Sequence, residues 1–519
     1  MIRYIPLVAL IATVLVLWSA PPRTAATGVA AVSAGGSHSC ALSVEGGVFC
    51  WGSNSSGQLG DGAGGGTGDA SAVPVVVTGL DSATAVAAGG AHTCALSAEG
   101  GVTCWGQNTQ GQLGAASGDS CRPPLLFLTT SVPCSTTPLD VVGLASDVAD
   151  VVTGGAHTCV LTTLGGVKCW GANFNGQLGA EATEVCGIIS TSCSTTPVDV
   201  DGLAEGVVAI TAGTSHTCAL MSAGGVKCWG LNSSGQLGAL AGDFCGAAAC
   251  SFTPLIVCAE AVCTSDLTDI AAVAAGSSHT CAMTVAGGVL CWGGNGNGQL
   301  GQGTSDLNAH LTPGAVCADE ACASSLPGVV GIAAGGLAGS GGHACVLLTS
   351  GGVQCWGANF VGQLGDELHC TNPCETPSDV VGLSNGAALA LGYLHTCAVT
   401  MAGGLRCWGS NELGQIGDGT TIDRHAPVEV VTDGLKDGVM ATPTPTPTAT
   451  PPGAAPGDAN CSGAVNSIDA AVVLQFVAGL LGSLSCAEVA DVNGDGSVNS
   501  IDASLILQFV AGLLSDLEP

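Results

Sequence analysis

One phrase, Cys-Trp-Gly-x-Asn-x-x-Gly-Gln-Leu-Gly, recurs seven times in this 519-residue chain, and any fold must accommodate that repetition. The copies begin at Cys50, Cys104, Cys169, Cys228, Cys291, Cys355 and Cys407, the last carrying Ile416 in place of Leu. Every tryptophan except Trp18 belongs to a copy. Ten positions upstream of each copy stands another cysteine, giving the pairs Cys40/Cys50, Cys94/Cys104, Cys159/Cys169, Cys218/Cys228, Cys281/Cys291, Cys345/Cys355 and Cys397/Cys407. Between the partners a Gly-Gly step precedes Val or Leu, as at Gly46-Gly47-Val48. Two short β-type runs about a Gly-containing turn read as a hairpin. Cysteines at this spacing can face each other on adjacent strands, so one disulfide per repeat is expected.

Two further strand signals complete the repeat. A Pro-led run such as Pro74-Val75-Val76-Val77 and an Ala/Val-rich run such as Ala85-Val86-Ala87-Ala88 bring it to about four strands. Successive repeat tryptophans lie 54, 65, 59, 63, 64 and 52 positions apart, far more than a β-helix coil uses. Four short strands copied seven times predict an all-β seven-bladed propeller. The array opens on an Ala/Val strand (Val29 to Ala34) and ends on a Pro-led strand (Pro427 to Val431). The last blade is therefore expected to take a missing strand from the first residues and so close the ring.

Composition narrows the setting. The chain holds 82 Gly and 28 Cys, but only 9% of its residues are charged, which suits a turn-rich β protein with covalent staples. Eight Lys and Arg face 39 Asp and Glu, for a net charge of −31. Phosphate backbones demand clustered Lys and Arg, so nucleic acid and anionic membrane are excluded as expected partners. Residues 1–26 read as an export signal: Arg3, an apolar run from Ile5 to Trp18, then Thr24 and Ala26 at the −3 and −1 cleavage positions. The apolar run falls short of the roughly 20 residues a spanning helix needs, which favours cleavage over anchoring. Export agrees with the even cysteine count, because disulfides persist outside the reducing cytosol. A secreted, extracellular location is expected, with attachment to a cell surface an option.

Taken as a whole motif, Trp-Gly-x-Asn-x-x-Gly-Gln-Leu-Gly preceded by His-x-Cys-Ala-Leu, as at His38-Ser39-Cys40-Ala41-Leu42, resembles the regulator-of-chromosome-condensation repeat family. The resemblance runs from Val29 to Leu435, within a propeller domain placed at residues 27–440. It implies a seven-bladed propeller serving mainly as a binding platform. The family's founder is a nuclear guanine-nucleotide exchange factor that also binds chromatin. An exported, acidic, disulfide-rich chain departs from that role, so exchange activity is not expected.

The remaining cysteines of the array sit in insertions. Cys121/Cys134, Cys186/Cys193, Cys245/Cys250 and Cys370/Cys374 precede the Pro-led strand, whereas Cys258/Cys263 and Cys317/Cys322 follow it. Their connectivity is open at this point. Loops before and after one strand leave its opposite ends, so decorated loops are expected on both faces, with more on the first. Such loops either carry binding specificity or simply restrain long insertions.

Residues 441–456 include an alternating Thr-Pro run from Thr442 to Thr448, which cannot form a core and reads as a semi-rigid spacer. Residues 457–519 then contain a second kind of duplication. Asp458 to Asp469 aligns with Asp491 to Asp502, and each segment leads into an apolar run ending Leu-Gln-Phe-Val-Ala-Gly-Leu-Leu. Oxygen side chains at positions 1, 3, 5, 9 and 12 with Gly at 6 form the EF-hand loop pattern, which wraps a calcium ion in six to eight oxygens. The second loop offers Asp491, Asn493, Asp495 and Asp502 directly, the Ser497 carbonyl, and Asn499 through water. The first offers Asp458, Asn460, Ser462 and Asp469, with the Ala464 carbonyl and Asn466. Two Ca2+ ions are expected, the first bound more weakly because its loop has two carboxylates against three.

Asp in place of Glu at position 12, and a helix after each loop but none before, resemble the type I dockerin family. The fold class expected overall is thus an all-β seven-bladed propeller plus a small α-helical EF-hand-like dockerin module. The resemblance implies a cohesin partner on a scaffold or cell-surface protein, contacted through Ser467, Ile468, Ser500 and Ile501. Cys461 and Cys486 are the module's two cysteines and candidates for one disulfide. No Lys or Arg follows Lys436, although the family often carries basic residues along the following helix.

Seven His-x-Cys pieces place His38, His92, His157, His216, His279, His343 and His395 at one position of the repeat. Zinc is one reading. Since each adjacent cysteine is better used in a disulfide, a structural hydrogen bond within the histidine's own blade is the simpler one. No nucleophile elbow, phosphate loop or zinc-protease helix is present. The expected function is non-catalytic recognition of an extracellular protein or glycan, with docking through cohesin. A dockerin-tethered glycoside hydrolase or accessory protein of polysaccharide degradation is the alternative, since acids distant in sequence can meet in space.

Overall fold

The computed structural model describes residues 28–431, apart from 67–68, 123–130, 183, 188–189, 261, 320–321, 338–340, 368 and 371–372. The chain separates into two compact units, Met1–Val439 and Met440–Pro519, and all described residues belong to the first.

That unit is a seven-bladed propeller. Blade 1 comprises β1 (Val29–Ala34), β2 (His38–Ser43), β3 (Val48–Ser53) and β4 (Ala70–Val76), paired antiparallel in chain order. Six further sheets repeat this meander, the last running Gly386–Leu391, His395–Thr400, Leu405–Gly409 and Arg424–Glu429. Blades 2, 3 and 4 each add a short fifth strand, Asp119–Cys121, Glu184–Cys186 or Asp243–Cys245, which pairs with the start of the outer strand.

The repeat phrase explains the packing. Cys40 lies directly opposite Cys50 on β2 and β3 and is bonded to it; the equivalent pair is joined in every blade, with Cα atoms 4.0–4.1 Å apart. The Trp beside the second cysteine points the other way, toward the preceding blade. Trp105 accordingly packs with Leu42, Val48 and Leu59 of blade 1. All seven such tryptophans are fully buried. An aromatic side chain burying 150–250 Å² removes roughly 4–6 kcal/mol of apolar exposure, so these rings dominate each junction. The Leu of Gly-Gln-Leu-Gly fills the same core, and the Gly after it admits the ring. Gly60 holds a left-handed φ of +70°, and a Cβ there would stand 2.6 Å from the Trp105 indole nitrogen.

Closure differs from the sequence expectation. The last blade borrows no strand: β1 pairs only within blade 1, and blade 7 is complete in itself. The array starts on an inner strand and ends on an outer one, so it contains seven whole blades in phase. The ring instead closes by the side-chain packing used at every other junction. Trp51 packs with Cys407, Ile416 and Val430, its indole N–H donating to the Gln415 carbonyl at 2.9 Å, and Val29 N–H donates to the Gly403 carbonyl at 3.1 Å.

Candidate functional site

The seven histidines lie on the second strands of their blades, opening six of them and standing third in Gly341–Leu348 of blade 6, and each is fully buried. The hydrogen bond expected within each blade runs between blades instead: His38 Nε2 lies 2.9 Å from Thr93 Oγ1 of the next blade, because the histidine at the strand's start faces the junction. Thr93 donates its one hydroxyl proton to the Gln58 carbonyl at 2.9 Å, an oxygen that also accepts the Trp105 indole N–H at 2.9 Å. With that proton committed, the hydroxyl accepts from histidine, which fixes the Nε2–H tautomer. The same triad recurs as His92–Thr158, His157–Thr217, His216–Thr280, His343–Thr396 and His395–Ser39. Blade 6 breaks the series: Ala344 stands where the hydroxyl belongs, and both ring nitrogens of His279 are without a partner among the described residues.

Burial pushes the imidazoles of His38, His92, His216 and His343 down to about 3, with neighbouring histidines adding to the effect. His157, His279 and His395 are pushed down to about 4 by burial alone. Buried and neutral, six of the seven histidines weld their blade to the next through these bonds. The groups of potential metal ligands that converge among the described residues lie elsewhere. They are Glu184 with Cys186 and Cys193, and Asp366 with Cys370 and Cys374, whose thiols are consumed in disulfides.

A second ring runs around the axis through the backbone. At six of the seven junctions the inner hairpin turn donates an N–H to the next: Gly36 to Gly89 (2.9 Å), Gly90 to Gly154 (3.1 Å), Gly155 to Thr214 (3.2 Å), Thr214 to Gly276 (3.3 Å), Gly336 to Gly392 (3.0 Å) and Tyr393 to Gly35 (3.2 Å). Glycine is needed at such approaches, since a Cβ on Gly35 would meet the Gly89 oxygen at 2.5 Å. The turns enclose an axial cavity of about 60 Å³, too small for an organic ligand, over which Tyr393 lies.

Variable chemistry therefore sits on the loops and the rim. The disulfides Cys121–Cys134, Cys186–Cys193, Cys245–Cys250 and Cys370–Cys374 brace loops at one end of the outer strands, and Cys258–Cys263 and Cys317–Cys322 brace loops at the other. Phe244 is exposed on the short strand Asp243–Cys245 of the first set, and Phe174 and Phe360 are exposed in the Asn-x-x-Gly turns of their own repeats. One half-buried acid stands out on an inner strand. Asp150, on the inner strand of blade 3, occupies the position filled by Ala31, Ala85, Ala209, Ala272 and Ala388 in five other blades and by Gly331 in blade 6, and burial pushes its carboxyl up to about 6.

Residues 126–453 match the RCC1-like domain, residues 45–96 match the regulator of chromosome condensation (RCC1) repeat, and 29–58 and 83–112 match a second form of that repeat. The chain belongs to the RCC1 family. It is 31% identical over 422 residues to the ultraviolet-B receptor UVR8 of Arabidopsis thaliana, covering 79% of this chain and 82% of the relative. It is 30% identical over 407 residues to the secretion-regulating guanine nucleotide exchange factor of Bos taurus, covering 74% and 78%. Among solved structures, this RCC1-family propeller is similar in fold to yeast RCC1 (Prp20) bound to Kap60, with TM-score 0.58 and 21% identity over 81% of this chain and 90% of that one. It is likewise similar to human WBSCR16, with TM-score 0.56 and 25% identity over 74% and 94%.

Residues 456–511 match the dockerin type I domain, a calcium-binding module. The protein is thus a dockerin-bearing RCC1-family propeller. Asp458, Asn460, Ser462, Ala464, Asn466, Asp469, Asp491, Asn493, Asp495, Ser497, Asn499 and Asp502 lie outside the described residues. So do Ser467, Ile468, Ser500, Ile501, Cys461 and Cys486. Sequence reasoning missed the three short fifth strands and the axial backbone ring. A signal for the strands existed in the Asp-x-Cys or Glu-x-Cys runs at 119–121, 184–186 and 243–245. The backbone ring leaves no side-chain signal beyond glycine.

Proposed function

We propose that this protein is an exported, non-catalytic recognition module whose propeller binds an extracellular protein or glycan while its dockerin holds it to a cohesin-bearing scaffold or cell surface. The observation that carries the reading is how the repeat residues are spent. The buried His, Thr, Trp and Gln of the consensus bond to neighbouring blades, which supports a rigid platform with binding left to the loops and rim. The match of residues 456–511 to a dockerin supports attachment through cohesin.

In this reading residues 1–26 direct export, 27–440 form the propeller, 441–456 space the modules, and 457–519 dock. Two calcium ions sit in the loops at 458–469 and 491–502, and Ser467, Ile468, Ser500 and Ile501 meet the cohesin. The near-identity of those two pairs allows docking in either of two orientations. Capture of the full chain on an array of type I cohesins, with and without chelator, tests the attachment: retention lost on chelation is expected, and retention indifferent to chelator sinks it. Incubation with a polysaccharide panel tests the absence of catalysis. Reproducible release of reducing sugar would replace this reading with that of a tethered glycoside hydrolase.

A further inference from the structure

The outer rim between blades 4 and 5 carries a groove of about 280 Å³. Its walls are aliphatic, from Leu240, Leu255, Ile256 and Leu311, with Thr312 and Glu260 supplying the polar side chains. A local sequence difference opens it. After Gly-Gln-Leu-Gly, blade 5 continues Gln302-Gly303, and the Gly303 N–H donates across the next junction to the Glu375 carbonyl at 2.9 Å. Gly303 lies so close to Cys322 that a Cβ would stand 2.6 Å from its Sγ. Blade 4 has Ala239-Leu240 at that place. Leu240 turns outward with 74% of its surface exposed.

Glu260 is held in position beside the groove. The Cys258–Cys263 disulfide clamps its loop, Cys263 N–H donates to the Glu260 carbonyl at 3.0 Å, and Thr264 and Ser265 hydroxyls donate to its Oε1, the latter at 3.0 Å. The carboxylate is therefore pre-oriented while its outer face stays in solvent.

The lining narrows the occupant. At about 280 Å³ the groove falls just under the range of small-molecule sites, roughly 300–1,000 Å³, and suits one or two side chains. No aromatic ring lines it among the described residues, so a sugar finds no face to stack on. The net charge of −31 attracts cations, and an anion beside an apolar trough selects a cation attached to an apolar group. We propose that this groove docks a polypeptide segment that sets a large aliphatic side chain next to a lysine or arginine, the aliphatic group filling the trough and the cation pairing with Glu260. The proposal rests on the reading of the propeller as a recognition module and chooses protein over glycan for this site.

The test is fluorescence anisotropy with the calcium-loaded full chain and three labelled, end-capped nine-residue peptides that alternate Leu/Lys, Leu/Glu or Ser/Lys. Saturable one-to-one binding is expected for Leu/Lys, with about tenfold weaker binding to Glu260→Gln and to Leu311→Ser. Binding of Leu/Glu and Ser/Lys is expected to be at least tenfold weaker. Equal binding of Leu/Lys to wild type and Glu260→Gln overturns the proposal, because diffuse charge alone then explains it; so does the absence of saturable binding. Glu260 is on the surface, so the Gln variant keeps the fold, and unchanged thermal unfolding of both variants checks this. Cohesin capture, measured in parallel, fails only if the docking half of the proposed function fails.

Discussion

His279 faces Ala344 across the junction of blades 5 and 6, where every other blade offers its neighbour's histidine a hydroxyl. The axial backbone ring lapses at the same place: among the described residues no bond runs from the Ser277 N–H to blade 6, and Ser277 Oγ is buried without a partner. The inner hairpin of blade 6 is also longer than its counterparts, with strands Val329–Leu337 and Gly341–Leu348. Two rings that tie the propeller together thus share one gap.

Ala344→Thr is expected to stabilise the propeller. The new hydroxyl accepts from His279 Nε2 and donates to the Gln299 carbonyl, which already receives the Trp356 indole N–H at 3.0 Å. Satisfying a buried donor contributes about 1–2 kcal/mol. Differential scanning calorimetry should show a higher Tm, and native-state amide exchange should slow in the inner strands of blades 5 and 6. An unchanged or lower Tm would show that the junction has repacked around alanine.

Acid should unfold the propeller through its histidines. Their folded values, about 3 to 4, lie below the unfolded 6.5. The unfolded chain therefore binds more protons between these limits, and stability falls as pH drops from about 6.5 toward 3. Above 6.5 the histidines contribute no slope. Denaturant melts at a series of pH values are expected to show a multi-proton dependence in this window, shallower in a His279→Gln variant. A flat profile from pH 6.5 to 4 contradicts the burial of neutral imidazoles.

Asp150→Ala is expected to stabilise at neutral pH and not at acid pH. The carboxyl titrates at about 6 in the folded protein against 3.8 unfolded, so folding loses stability as pH rises through that interval. Below pH 3.8 both states are protonated and the penalty vanishes. With partial solvent access discounted, the gain at pH 7 should be about 1–2 kcal/mol. Comparing unfolding free energies at pH 7 and pH 4 checks the sign, and an equal gain at both would assign the effect to packing alone.

Calcium should bind the two dockerin loops unequally. Three carboxylates in the second loop against two in the first predict a tighter and a weaker event by isothermal titration calorimetry of the full chain. Asp495→Ala should abolish the tighter event, and Ser462→Asp should strengthen the weaker one. Two equal events unmoved by Asp495→Ala would show that the ligand assignment is wrong.

Local spacing made much of this protein legible. Cysteines ten apart about a Gly-Gly turn face each other because a short hairpin leaves little choice of register, and seven copies of a four-strand unit have few arrangements other than a ring. Calcium ligands at fixed offsets are likewise a local property. Relationships between blades required the tertiary structure. Whether the end strands exchange depends on which edges meet after the chain has gone once around, and here whole blades meet whole blades. Asp150 reads in sequence as one acid among many, until packing removes most of its water. Leu240 and Gly303 look like ordinary loop residues, and only the folded chain leaves the one outside beside an open groove and seats the other against Cys322. Repetition determined the blade; desolvation and steric fit at the junctions decided where one blade differs from the next.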